Sequence, residues 1–397
     1  MTSPFTALAA RIAAAWARVG HAPGALAPIA GEALAALDAG IPTGFDAITE
    51  WLFEAPELPA QRSLDQRFGQ PPVTVYLDDR LFIELLFWHT GTTGIHQHAF
   101  AGAFRVVAGS SLHAVYDFAP SHVIDPRLEL GELVLRTADV LDTGAVIAIE
   151  PGRKFIHSAF HLDNPSVTLV VRSHADGSRE LEYKPPGLAL DPAARDAGTT
   201  KLVQLMDLLA RQPGDRYRQR VASALARCDA YAGVQLVLRA RRQTDPETFA
   251  AVRDGFAARF PALAARVAAV TDEEWRRLAV TDARARITDP EHRFFLALVM
   301  NLADRDAILG AIRQRFPTRD AVDQLVGWLR ACARRDRLGF ELDELLLSIV
   351  RGAVAGAPAA QLAHQLAISP DELAHALDTL QRIPVLVPLL AARREVP

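Results

Sequence analysis

The segments Gly94-Ile95-His96-Gln97-His98 and Pro151-Gly152-Arg153-Lys154-Phe155-Ile156-His157 decide how this chain is read. Side chains alternate across a strand with period two, so His96 and His98 face the same way and can grip one ion. A third imidazole from a distant strand, that of His157, would complete a facial set of three nitrogens and leave positions open for a substrate. The plainer alternative is a pair of half-exposed strand histidines in a chain that holds 12 of them. The flanking sequence favours the site. Phe82-Ile83-Glu84-Leu85-Leu86-Phe87-Trp88 reads as a buried strand and Gly91-Thr92-Thr93-Gly94 as a turn. Ala103-Phe104-Arg105-Val106-Val107-Ala108-Gly109 and Leu112-His113-Ala114-Val115-Tyr116 read as two further strands.

These residues resemble the two motifs of the cupin superfamily, small double-stranded β-barrels whose motifs carry metal ligands. The first motif is a glycine, His-x-His, a glutamate and a later glycine, and Gly91 or Gly94, His96, His98 and Gly109 fill most of it. Gly102 and Ala103 stand where the glutamate would fall. Gly144, Pro151, Gly152 and His157 match the second motif, with the proline-to-histidine spacing one residue long and His161 in the place of the usual asparagine. Without a carboxylate ligand, three neutral imidazoles leave a dicationic centre that attracts anions. In this the chain looks like the cysteine dioxygenase group of thiol dioxygenases. That likeness also takes in Trp88, Gly102 and Ile156-His157, and it covers residues 70–175. Members acting on cysteine carry a Tyr-x-Arg segment, whereas the stretch here is Thr74-Val75-Tyr76-Leu77 and the nearest arginine is Arg80. Their late Ser-x-His-x-Tyr series is replaced by Thr168-Leu169-Val170-Val171-Arg172.

The resemblance implies a mononuclear non-haem Fe(II) dioxygenase that uses O2 on a small anionic or thiol-containing substrate chelated at His96, His98 and His157. Such a nitrogen set also takes Zn, Ni, Mn or Co, because affinity follows the Irving–Williams order and selection rests on supply and geometry. Two readings of other classes stand beside it: a metal-containing ligand-binding or regulatory protein without turnover, and a non-redox isomerase or lyase. By a count of twos His161 shares the face of His157. It reads as a fourth ligand, as a hydrogen-bond partner behind a ligand, or as a rim residue where Asp163-Asn164-Pro165 bends the chain. Candidate substrate contacts are Tyr76, Arg80, Trp88, Arg105, His113 and Tyr116, with Arg153 and Lys154 at the rim. A bulge expected at 100–102 leaves Phe104 and Arg105 as alternatives for the residue that faces the metal.

A chain of 397 residues is too long for one such barrel. The expectation is an α+β multidomain protein: an N-terminal helical segment over 1–65, the cupin barrel over 66–186, and an all-α domain over 198–397. Pro185-Pro186-Gly187 marks the barrel's exit. Apolar stripes at helical spacing, such as Leu202, Leu205, Met206 and Leu209, fill the last part. Thr288-Asp289-Pro290-Glu291 and Ser369-Pro370-Asp371-Glu372 read as capping-box helix starts. The helical regions are expected to form a lid or the surface of a homodimer. Residues 359–373 have the form of a helix-turn-helix, but the second helix opens on Pro370-Asp371-Glu372 and would carry negative charge toward phosphates. A formal net charge of -4 likewise argues against nucleic acid or anionic lipid as the main partner. Two cysteines, Cys228 and Cys332, give neither a disulfide framework nor a zinc spacing. With no apolar run of membrane-spanning length, the expected location is the cytoplasm.

Overall fold

The computed structural model describes residues 3–391 except 38, 56, 63–67, 90, 176, 195 and 213–214. Three helices open the chain: α1 (Pro4–Arg18), α2 (Leu26–Ala35) and α3 (Phe45–Glu54). In α1, Phe5, Leu8, Ile12 and Trp16 recur at helical spacing and are buried. The strands that follow are β1 (Pro72–Leu77), β2 (Leu81–Trp88), β3 (Ile95–His98), β4 (Gly102–Ala108), β5 (Ser111–Asp125) and β6 (Leu128–Leu141). After them come β7 (Val146–Ile149), β8 (Gly152–His161), β9 (Ser166–Ser173), β10 (Glu182–Lys184) and β11 (Leu188–Leu190). They make a five-stranded sheet in the order β1-β2-β9-β4-β7 and a second sheet closed on itself in the order β10-β11-β6-β5-β8-β3. The result is a small β-barrel with helices before and after it, as expected.

Covering both faces of the five-stranded sheet explains why β2 reads as an apolar run broken only by Glu84. Ile83, Leu85, Leu169 and Val171 pack with Phe5, Leu8, Ile12 and Trp16 on one side, while Leu86, Trp88, Phe104, Val106 and Val170 form a separate cluster on the other. Gly102 starts β4 hard against β9, and a Cβ there would collide with the carbonyl oxygen of Val171. Of the two residues that stand where the first motif would have a glutamate, Gly102 therefore has no room for a side chain.

In the closed sheet, Ile95, Ala114, Tyr116, Phe118, Ile156, Tyr183 and Ala189 make one apolar cluster. His96, His113 and His157 each neighbour a member of that cluster in sequence, so strand alternation turns them the other way. β5 and β6 run for 15 and 14 residues. Both are longer than the short runs the sequence suggests, and Leu133, Leu135 and Ala138 of β6 pack against the apolar cluster. The closed sheet also continues past Pro185-Pro186-Gly187, since Leu188 pairs with Leu130 of β6 and Gly187 sits where a Cβ would strike the Gly131 carbonyl.

The helices after the strands are α4 (Ala197–Leu209), α5 (Arg216–Leu225), α6 (Ala230–Gln243), α7 (Pro246–Arg259), α8 (Pro261–Arg286) and α9 (Pro290–Asn301). Then come α10 (Arg305–Arg315), α11 (Ala321–Cys332), α12 (Glu344–Val354), α13 (Ala359–Leu366), α14 (Pro370–Gln381) and α15 (Val387–Leu390). Packing divides the chain into two units. The first comprises Met1–Gly109, His113–Ala159 and Pro165–Trp275; the second comprises Ser110–Leu112, Phe160–Asn164 and Arg276–Pro397. In the first, Tyr217, Val221, Tyr231, Val237, Phe256 and Val267 bury Leu128, Leu188 and Leu190 of the barrel. In the second, Phe294 and Phe295 of α9 lie 6.0 and 6.4 Å from the Trp328 ring of α11.

Aspartate starts many of these helices. Asp196, Asp229, Asp245, Asp289, Asp304, Asp320 and Asp343 each accept a hydrogen bond from an amide in the first turn. At 288–291 the cap is Asp289, not Thr288, because Pro290 takes the first helical position and the Asp289 carboxylate reaches the His292 amide. Ser369 and Glu372 do form the expected reciprocal capping box. No helix among the described residues is long and apolar enough to cross a membrane.

Gly102→Ala should destabilise the barrel by about 1–3 kcal/mol, the usual range for a methyl group forced into a filled space. The thermal midpoint should fall by several degrees. Gly31→Ala, inside α2 with nothing within 4 Å of the added Cβ, should leave the midpoint level or raise it.

Candidate metal centre

Hydrogen bonds that precede β3 set the position of both its histidines. The Thr92 and Thr93 hydroxyls donate to the Ala159 carbonyl at 2.7 and 3.2 Å, and the Thr93 amide does so at 3.0 Å. The Ala159 amide donates back to Thr93 Oγ1 at 2.6 Å. With that clamp closed, His96 lies opposite His157 in the β3–β8 pair. Two residues later His98 lies opposite Gly152, so β8 holds extra residues over this stretch. Gly152 has φ +68°, a left-handed value that glycine adopts without steric strain. This irregularity between the two histidines comes in addition to the expected one near 100–102, where strand pairing breaks at 99–101 between β3 and β4. Gln97 points the other way, where the Tyr183 hydroxyl donates to its Oε1 and its Nε2 donates to the Arg179 carbonyl at 2.6 Å.

Ligand atoms of His96, His98 and His157 all lie within 4.8 Å of one another, the one such group among the described residues. His98 Nε2 and His157 Nε2 are 2.9 Å apart. His96 places Nδ1 2.9 Å from the Gly94 carbonyl, so the proton sits on Nδ1 and Nε2 carries the lone pair. The outer edge of this ring is half-exposed, yet Nε2 itself is buried and has no hydrogen-bond partner among the described residues. A buried acceptor left without a donor costs about 1–3 kcal/mol. A divalent cation in the space shared by the three nitrogens would remove that deficit, and neutral imidazoles are suitable ligands for it.

Desolvation is the largest influence on each of these rings. It lowers the pKa of His96, against an opposing pull from the Gly94 carbonyl, Glu180 and Glu182. His98 and His157 are pushed well below the ordinary value of 6.5, first by burial and then by neighbouring imidazoles. Burial, and then His96, brings His113 down to about 4. The whole cluster is therefore held neutral, the state a metal requires.

Phenylalanine rings wall the cluster. Phe100 lies 4.6 Å from His98, Phe155 4.5 Å from His157, Phe104 6.2 Å from His157 and Phe68 5.8 Å from His96. Phe104, from the five-stranded sheet, is thus the residue that faces the histidines. Arg105 turns outward and donates to the Leu34 and Ala35 carbonyls at the end of α2, at 2.6 and 3.1 Å. Sequence reasoning missed the aromatic wall, although Phe100 follows His98 and Phe155 precedes His157 by two residues, the spacing of a shared strand face.

Among the other candidates, Trp88 is one ring removed from His96, stacking edge-on with Phe68 at 5.2 Å while its Nε1 donates to Thr168 Oγ1. His113 Nε2 is 2.9 Å from His157 Nδ1. Tyr116 belongs to the apolar cluster on the opposite face of the closed sheet. Tyr76 packs with the N-terminal helices and donates to Asp78 at 2.7 Å. Arg80 lies in the exposed turn between β1 and β2. Arg153 is paired with the buried Glu129, which Arg179 also reaches, and Lys154 is exposed beside Glu150. None of these contacts brings Tyr76, Arg80, Arg105, Tyr116, Arg153 or Lys154 to the three histidines. His161 stands outside the group as well. Its Nδ1 is 2.9 Å from Ser111 Oγ, and Arg284 donates to its carbonyl at 2.8 and 3.0 Å. Its ring is kept neutral by burial, then by Arg284 and Arg293.

No protein-family model matches the chain, and no curated protein matches it. Among solved structures it is similar to the DMSP lyase DddQ from Ruegeria pomeroyi, at 17% identity over 45% of this chain and 96% of that one, with a TM-score of 0.24. An uncharacterized conserved protein with a double-stranded β-helix domain from Klebsiella pneumoniae is 14% identical over 35% of this chain and 93% of that one, with a TM-score of 0.21. The DMSP lyases RdDddP and RnDddQII give 19% identity over 25% of this chain and a TM-score of 0.18. In that comparison the chain spans only 42% of the matched protein. Likenesses this distant say nothing of what the chain acts on, which has to come from the site.

The buried imidazoles make the metal-free protein acid-sensitive. Unfolded imidazoles take up protons near 6.5, whereas the folded ones resist until lower pH, so unfolding binds protons between those values. Stability should be full above about 6.5 and fall toward about 4, where His113 titrates. Each such ring adds a slope of about 1.4 kcal/mol per pH unit within its window. Urea midpoints measured from pH 8 down to 4.5 should show this fall, and a flat profile would contradict neutral burial.

Proposed function

We propose that the chain is a mononuclear metal enzyme, an Fe(II)-dependent oxygenase acting on a small organic substrate held at His96, His98 and His157. The observation that carries this reading is the buried, unpartnered His96 Nε2 directed into the same space as His98 and His157. When bound, the ion would supply Lewis acidity and, as Fe(II), a one-electron path for activating O2, with the net electrons coming from the substrate. Three protein ligands leave coordination positions for substrate atoms.

The residues around the ligands favour a particular kind of substrate. Neutral imidazoles add no negative charge, so a donor that brings its own, such as a thiolate or carboxylate, is preferred. Sequence reasoning looked to arginine for the anion, but Arg105 and Arg153 are engaged elsewhere. Arg172 is paired with the buried Glu84 and lies over Phe100, 5.1 Å from the ring centroid. Affinity for the anionic end would therefore come from the ion. The phenylalanine rings would take up the apolar part of the molecule and keep water out.

Protein purified without chelator should contain about one metal ion per chain, and His96→Ala or His157→Ala should contain none. Iron-loaded protein should consume O2 when given small thiols or carboxylates, and His98→Ala should reduce that rate to background in an oxygen electrode. Turnover that proceeds with zinc or manganese and leaves O2 untouched would replace the oxygenase reading with a non-redox one.

A further inference from the structure

We infer that His113 is a positioning residue for the metal centre, accepting the Nδ1 proton of His157 and so aiming His157 Nε2 at the ion. The inference rests on His96, His98 and His157 being the ligand set. A neutral imidazole has one N–H. If His157 binds through Nε2, its proton sits on Nδ1, and the atom facing that nitrogen at 2.9 Å is His113 Nε2. His113 must then carry its own proton on Nδ1. One hydrogen bond thus fixes the tautomers of two rings and the rotation of one ligand.

Packing holds His113 in place for this task. It is 3% exposed, with the rings of Phe104 and Phe155 each 5.9 Å away. It comes from β5, the neighbour of β8 in the closed sheet, and so from a different strand than any of the three ligands. It is absent from the group whose ligand atoms converge. The choice of partner also has a chemical effect. A carboxylate behind His157 would draw on its proton and make the ring a more electron-rich ligand. An imidazole acceptor leaves the ligand neutral, and His96 likewise leans on an uncharged group, the Gly94 carbonyl. The centre therefore keeps the full charge of its ion, which deepens its preference for a substrate that brings negative charge.

The test uses Co(II) as the probe, because its visible bands report ligand geometry independently of turnover. Wild type, His113→Phe and His113→Gln would be titrated with Co(II) in competition with a chelator. His113→Phe should bind about 10–100-fold more weakly and with shifted bands. His113→Gln, whose amide oxygen can accept the same proton, should recover most of the affinity and the wild-type spectrum. Long-range nitrogen–proton NMR of the zinc-loaded wild type needs no variant, and it should show His157 protonated at Nδ1. Unchanged affinity and bands in His113→Phe, or an Nε2-protonated His157, would overturn the role of His113. His96→Ala that binds Co(II) as tightly as wild type would overturn the ligand set and the inference with it.

Discussion

A nitrogen lone pair that has been taken out of water and given no donor must be met by some other group, and much around His96 follows from that condition. Water is excluded because the five-stranded sheet is packed on both faces and phenylalanine rings close around the imidazoles. The same exclusion keeps the rings uncharged, so that their nitrogens can offer lone pairs to a cation. Burial therefore both creates the unmet acceptor and prepares it for a cation.

Charge is handled differently elsewhere in the chain. Arg284 and Arg293 are 0% and 1% exposed, and the groups they reach include the carbonyls of residues 161–163. Desolvation, and then Arg293, brings the Arg284 guanidinium down to about 9. Backbone oxygens are weaker partners than a carboxylate, but several together satisfy a planar guanidinium. These two arginines fasten the end of β8 within the second packing unit, while the residues of β8 that matter to the ion belong to the first.

What the sequence made legible was whatever repeats with period two or lies within one motif. His96 and His98 on one strand face, Gly91 to Gly94 as the turn, β2 as a buried run and Asp371-Glu372 at a helix start all follow from local rules. Three kinds of feature did not. The register offset that sets His98 opposite Gly152 depends on pairing between distant strands and leaves no local trace. The bond from His113 to His157 needs β5 beside β8, which only the closed sheet supplies. Arg105 was ambiguous because a strand's phase is lost after any irregularity, and what decided it was the end of α2, a helix far back in the chain. Gly102 illustrates the reverse case. Its sequence position suggested a missing ligand, while its structural reason is the close approach of β9.

The clamp of Thr92 and Thr93 on Ala159 acts as an index mark for a very short strand. Because facing alternates residue by residue, moving β3 by a single step would turn Ile95 and Gln97 toward the phenylalanines and throw both histidines into the apolar cluster. The spacer between the clamp and His96 is consequently a ruler of fixed length. The loss or gain of even one residue within it would erase the centre.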